Sequence, residues 1–173
     1  MPFRSSNVTA ANEVDAQAAY ESQMSLWGAL MGGAHLVEHA AGWMHGGLTA
    51  SFEKLILDAE MLAMMADYFR PIVVDEASLA VEAIREVGPG GHFFGTDHTM
   101  TRYQTAFYAP LLSNWDNHGQ WLERGGVMAR ERANVIWKQL LGEYEQPPLD
   151  VAVAEALAEF VAKRKAEGGA PLN

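Results

Sequence analysis

The sequence predicts an α/β protein that is mostly helical, with two or three short strands. Three observations carry this. Apolar residues recur at helical spacing in stretches beginning at Asp15, Ser51, Asp75, Val127 and Asp150. Two short segments near the start, Pro2–Ser6 and Ala34–Ala41, have strand character and sit among loop-forming residues. Glycine and proline runs separate the periodic stretches: Gly32-Gly33, Gly42 to Gly47, Gly88 to Gly91, and Pro147-Pro148. The resulting order is strand, helix, strand, helix, which then becomes purely helical.

Taken in order, Pro2–Ser6 is the end of a strand, and Asn7–Asn12 is loop-like. Asp15 caps a helix running to about Met31, with Ala16, Ala19, Gln23, Leu26, Trp27 and Leu30 near one face. Gly32-Gly33 ends it. Ala34–Ala41 reads either as a buried strand or as one more helical turn. As a strand it puts His35, Val37, His39 and Ala41 on one face; as a helix it stacks His35 on His39. Gly42–Gly47 is expected to be a flexible loop. Ser51–Phe69 is the clearest helix, with Phe52, Leu55, Ile56, Ala59, Leu62, Ala63 and Ala66 on the core face and Glu53, Lys54 and Asp58 elsewhere. Its methionines, Met61, Met64 and Met65, read as packing residues. Asp75 caps a helix over Glu76–Val87. Thr99–Phe107 reads as a short helix, Pro110–Asn117 as irregular, and the segment to Gly125 as a short amphipathic piece. Val127–Tyr144 is a strong helix. Glu145–Leu149 is a stiff linker, and Asp150 caps a last helix to about Lys165.

A chain of 173 residues is one domain's length, and 49% of it is apolar, enough for a sizeable core. The net charge of −10 argues against nucleic acid and anionic membranes. There is no cysteine, which excludes disulfides, thiolate metal sites and cysteine nucleophiles. The N-terminus has no apolar run behind its charge, and Met24–Met44, the least polar long stretch, carries His35, Glu38, His39 and four glycines. A cytoplasmic protein is therefore expected.

Candidate chemistry centres on Gly88–Thr99, which holds four glycines, a proline, two histidines and two threonines in twelve positions. Helix cannot continue through Gly88-Pro89-Gly90-Gly91. The tight turn that results carries His92 and His98, either as site residues or as histidines that satisfy backbone carbonyls. His35-Leu36-Val37-Glu38-His39 spaces two histidines four apart, but it lacks the glutamate directly after the first histidine that zinc peptidases use, so no metal site is expected. No Gly-x-Ser-x-Gly elbow and no phosphate loop is present. Aromatic residues on or near loops, Trp43, Phe93, Phe94, Tyr103 and Tyr108, with Glu38 and Asp97 nearby in sequence, are suited either to core packing or to enclosing an alkylammonium cation.

Several blocks, in order and with few gaps, resemble one family. They are Asp15-Ala16-Gln17-Ala18-Ala19-Tyr20-Glu21, His39-Ala40-Ala41-Gly42-Trp43, Gly46-Gly47-Leu48-Thr49-Ala50-Ser51-Phe52-Glu53-Lys54, Asp58-Ala59-Glu60, Glu86-Val87-Gly88-Pro89-Gly90-Gly91-His92-Phe93, Gly95-Thr96, His98-Thr99 and Pro147-Pro148-Leu149-Asp150. Together they are similar to the C-terminal third of the trimethylamine methyltransferase family, which includes glycine betaine methyltransferases. The resemblance implies the C-terminal portion of a (β/α)8 barrel over residues 1–145, with a linker and a helix over 146–173 that packs on the barrel. It implies transfer of a methyl group from a methylated amine to the cobalamin of a separate corrinoid protein, with no cofactor bound by this chain itself. Glu38, His39, Trp43, His92 and His98 are the implied substrate-binding residues, and His39 and His92 fit positions at the C-terminal ends of barrel strands.

The departures from the family are as informative. A barrel of this kind takes about 250 residues, so most of it is expected to lie outside this sequence. A partial barrel exposes strand edges and one side of its core, which is expected of a split enzyme completed by a complementary chain, of a truncated product or fragment, or of a homo-oligomer. The trimethylamine enzymes of the family carry pyrrolysine and none is present here, which favours a betaine-like quaternary amine. The competing expectation is a non-catalytic assembly module descended from such a barrel.

Overall fold

The computed structural model describes residues 3–5 and 7–169. Strand β1 (Phe3–Ser5) runs parallel to β2 (Leu36–Glu38), pairing Phe3 with Leu36, Arg4 with Val37 and Ser5 with Glu38. Helix α1 (Ala16–Met31) makes the crossover between them, as parallel pairing requires. The Asp15 side chain starts α1 by accepting from the backbone N–H groups of Gln17 and Ala18, and Gly32 closes it. The segment after Gly33, open between strand and helix from sequence, is a strand, but only three residues long.

The glycine stretch that follows is ordered as a hairpin rather than a flexible loop. Strand β3 (Trp43–Met44) pairs antiparallel with β4 (Thr49–Ala50). His45, Gly46 and Gly47, at φ 53, 67 and 91, make the left-handed turn between them. Glycine at two of these positions lowers the steric cost, and Gly46 N–H is tied to the Thr9 carbonyl at 2.9 Å.

Helix α2 (Phe52–Tyr68) starts at Ser51, whose hydroxyl accepts from the Lys54 N–H. Its buried side is only partly the one its apolar pattern predicts: Ile56, Met61 and Met65 are inside as expected, but three charged side chains join them and two expected apolar ones do not. Lys54, Ile56, Asp58, Glu60, Met61 and Met65 are buried, whereas Phe52 and Leu55 are 56% and 42% exposed. The helix is turned so that charged side chains with specific partners face inward, because each finds hydrogen bonds there. Helix α1 is turned in a similar way: Ala18, Ser22, Leu26 and Ala29 are buried, and Trp27 is partly exposed. Two small apolar clusters result. Leu26, Met61 and Met65 join Leu30, Val37 and Leu62, while Ile56, Leu112 and Ala133 join Leu57, Ile136 and Trp137.

The helix expected over Glu76–Val87 is two, α3 (Glu76–Leu79) and α4 (Val81–Val87), broken at Ala80 with φ 53. The glycine turn follows, and Gly91 there is required, since a Cβ would lie 2.6 Å from the Val87 carbonyl oxygen. Helix α5 is Asp97–Met100, capped by Thr96, and shorter than the expected Thr99–Phe107. Thr101 Oγ1 donates to the Asp97 carbonyl at its end, a local bond that competes with helix continuation. Helices α6 (His118–Glu123), α7 (Ala129–Gly142) and α8 (Val151–Ala166) complete the chain, with Asp150 capping α8. The chain divides into two compact units, Met1–Gln139 and Leu140–Asn173, and the boundary falls within α7. Among the described residues no helix is long and apolar enough to cross a membrane.

Glu53 fixes α2 to α7. Its Oε1 accepts from Asn134 Nδ2 at 2.6 Å and Trp137 Nε1 at 2.8 Å, and its Oε2 from Ser51 Oγ at 3.0 Å. The Asn134 bond first, and the Trp137 bond second, lower its pKa from 4.5 to about 2. A carboxyl depressed in the fold stabilises above its unfolded pKa, and that contribution is lost as pH falls from 4.5 to about 2. Melting curves across this window are expected to show a steeper loss of stability for the parent than for Glu53→Gln. Equal slopes would rule the linkage out.

Candidate functional site

Parallel strands bring their carboxyl ends to one edge, and ligands of open α/β sheets bind outside that edge. Two segments meet there. Asn7 lies just beyond β1, and His39 just beyond β2. The turn from His39 to Trp43 is held at Ala40 and at Gly42. Asn7 Nδ2 donates to the Ala40 carbonyl at 2.5 Å. The Gly42 N–H donates to Asp58 Oδ2 at 2.8 Å, and the Gly42 carbonyl accepts from the Ser51 N–H at 2.9 Å. His39 and Gly42 are left-handed, at φ 52 and φ 85. This folded turn brings the His39 ring edge-on to the Trp43 indole, with centroids 5.4 Å apart and planes at 81°.

Behind the turn is a buried ion pair. Lys54 Nζ donates to Asp58 Oδ1 and Oδ2 at 2.5 and 2.6 Å and to Ser22 Oγ at 2.7 Å, and both charged side chains have zero exposure. Burial pushes the Asp58 carboxyl above its usual range, against hydrogen bonds from Lys54, Gly42 and Asn7 that pull it down. In front of the turn is a groove of about 210 Å³, lined by Ala41, Gly42, Trp43, Ala50, Phe52 and Leu55 among others. Its surface is mainly apolar and carries two aromatic side chains, the chemistry that receives a weakly hydrated cation or an apolar group.

Of the residues expected from sequence, His39 and Trp43 are in contact, and Glu38, exposed at the end of β2, precedes His39 directly. His92 and His98 are on other surfaces. His92 is exposed and lies 5.5 Å from the Phe94 ring. His98 Nε2 is 3.0 Å from the Ala77 carbonyl and lines a separate groove of about 400 Å³ with Glu76, Glu82, Glu86, Asp97 and Arg102. Asn7, Lys54 and Asp58 were not expected at the site. The four-residue spacing of Lys54 and Asp58 is a visible pairing signal, but it reads equally as a solvated pair. Among the described residues no three histidine, aspartate or glutamate side chains converge to hold a metal ion.

A parallel strand pair with an aromatic groove beyond its carboxyl ends is an α/β arrangement with a candidate ligand edge. The family model described as trimethylamine methyltransferase matches residues 1–169. The chain belongs to that family. Among its curated relatives it is 37% identical over 156 residues to a glycine betaine methyltransferase of Desulfitobacterium hafniense strain Y51, covering 90% of this chain and 32% of that protein. It is 29% identical over 155 residues to a trimethylamine methyltransferase MttB of D. hafniense strain DCB-2, covering 90% of this chain and 31% of the relative. MttB2 of Methanosarcina mazei is 28% identical over 151 residues, or 86% of this chain and 30% of the relative. The chain thus spans about a third of the length of these relatives and corresponds to their C-terminal part.

Proposed function

We propose that this chain is the C-terminal portion of a (β/α)8-barrel methyltransferase acting on a methylated amine, glycine betaine ahead of trimethylamine, with the corrinoid of a separate protein as methyl acceptor. The observation that carries this is the His39–Trp43 ring pair beside an aromatic groove, in a chain whose 37%-identical relative is named a glycine betaine methyltransferase. A quaternary ammonium cannot be recognised by donated hydrogen bonds. It is held by aromatic faces and by carboxylate charge, which Trp43, Phe52 and Glu38 supply. In the transfer the C–N bond breaks and its electron pair stays on nitrogen, so a quaternary amine departs neutral and needs no proton donor. The role of His39 is accordingly to bind and orient rather than to exchange a proton. The corrinoid, when bound by its own protein, supplies the cobalt(I) nucleophile, and no residue of this chain is assigned to hold it.

The exposed apolar side chains support a partner as part of this reading. Tyr20, Met24 and Trp27 on α1 are 62%, 75% and 39% exposed, and Leu36 of the two-stranded parallel pair is 47% exposed. Parallel sheets are ordinarily covered on both faces, so a complementary polypeptide or a second copy is part of the proposal. The same surface favours the second reading, a non-catalytic assembly module. Calorimetry with glycine betaine and trimethylamine, with solution mass measured on the same sample, separates the two. Saturable betaine binding, weakened about tenfold in Trp43→Ala, is the expected result, because a desolvated cation–π contact contributes about 2 kcal/mol less the loss of ordering. A folded sample that assembles and binds neither amine would favour the module.

A further inference from the structure

We infer that Asn7 and the buried Lys54–Asp58 pair are positioning residues that hold the 39–43 turn so that His39 and Trp43 present their rings to a quaternary ammonium. This rests on the amine reading above. Three facts lead to it. A buried ion pair is a poor stabiliser compared with apolar side chains of similar volume. What apolar side chains cannot supply is the acceptor that Asp58 turns toward the Gly42 N–H at 2.8 Å. Asn7, which also hydrogen-bonds Asp58, grips the same turn through the Ala40 carbonyl. It does so although fully buried and with its own Oδ1 unpartnered among the described residues.

The turn itself requires such support. His39 has a left-handed backbone, costly for a residue with a Cβ, and a strained conformation persists only when its surroundings over-determine it. Gly42 sits with the Leu55 Cβ 3.5 Å from the position its own Cβ would take, so the turn lies closely on α2. Lys54 and Asp58 belong to α2 and Asn7 to the segment after β1, so the clamp joins α2 and that segment to the ring pair. A ligand cage assembled by rigid neighbours loses less entropy on binding than one formed by mobile loops.

Two double variants separate positioning from stability. Lys54→Met with Asp58→Ala removes the charges and the acceptor; Lys54→Met with Asp58→Asn removes the charges and keeps an acceptor for Gly42. Three readouts apply: hydrogen exchange at the Gly42 amide, the ring-current shift of the His39 imidazole protons, and glycine betaine affinity. In the alanine double variant, Gly42 protection and betaine affinity are each expected to fall about tenfold, and the His39 shift to collapse toward that of a free imidazole. In the asparagine double variant all three are expected to recover. Asn7→Ala, with the ion pair intact, is expected to move the same readouts in the same direction and carries the test if the alanine double variant does not fold. A folded alanine double variant with Gly42 protection and the His39 shift unchanged would overturn the inference. If those two readouts change as expected while the parent itself binds no betaine, the positioning role stands and the amine reading falls.

Discussion

Asp58→Ala alone is expected to cost about 3–5 kcal/mol of folding stability, the largest effect of any single change in this fold. The reason is the partner left behind. The Lys54 side chain has zero exposure, and two of its three hydrogen bonds go to the Asp58 carboxylate, at 2.5 and 2.6 Å. Without them an ammonium is left facing only Ser22 Oγ, and burial of an unpaired charge costs several kcal/mol. Lys54→Met is expected to cost less. The carboxyl that remains is already held above its usual range by burial, and it can take up a proton and become neutral. The two losses are therefore not additive: the double variant Lys54→Met with Asp58→Ala is expected to be more stable than Asp58→Ala alone. Urea denaturation of the three variants measures this. A loss below about 1 kcal/mol for Asp58→Ala would mean that water reaches Lys54 and that the pair is worth no more than a surface one.

The same pair shows where sequence reading stopped. Helical periodicity located α1, α2, α7 and α8, because each is long and has an apolar pattern or a capping side chain to mark it. Their orientation was less legible. On α2 the rule that apolar residues face inward assigns Phe52 and Leu55 to the core, yet they line or border an open groove, while Lys54, Asp58 and Glu60 are inside. Hydropathy assigns a side chain by its chemistry alone, whereas burial of a charge depends on a partner distant in sequence: Ser22 for Lys54, Gly42 for Asp58, and residues 111–113 for Glu60. The break at Ala80 was hidden for a different reason. Alanine is a strong helix former, and nothing local marks it for φ 53. At the candidate site, the block around His39 and Trp43 was singled out through family resemblance and loop aromatics, and the two rings are in contact. Asn7 was not found, since a single asparagine in a loop has no distinguishing pattern until β1 and β2 are seen to end side by side.

Glu60→Ala is expected to cost about 3 kcal/mol, because Glu60 does the work of a missing strand for the segment after Tyr108. Pro110–Asn117 forms no regular element, so its backbone groups need partners from elsewhere. Glu60 Oε2 accepts from the Leu111 and Leu112 N–H groups at 2.6 and 2.9 Å, and Oε1 accepts from Ser113 Oγ at 3.1 Å. The Tyr108 hydroxyl adds a bond to the Glu60 carbonyl at 3.5 Å. These bonds set Leu112, 4% exposed, into the cluster with Ile56 and Ala133. Removing the carboxylate orphans two amide donors, one of them on a buried residue, and loosens an apolar contact in the same step. Glu60→Gln keeps one carbonyl oxygen as acceptor and introduces an N–H₂ that no longer suits every partner, so about a third of the alanine loss is expected. Chemical denaturation of the two variants tests the scheme. If alanine and glutamine cost the same, the stabilisation comes from charge rather than from the acceptor geometry; if alanine costs nothing, the 108–113 segment is held by Leu112 packing alone.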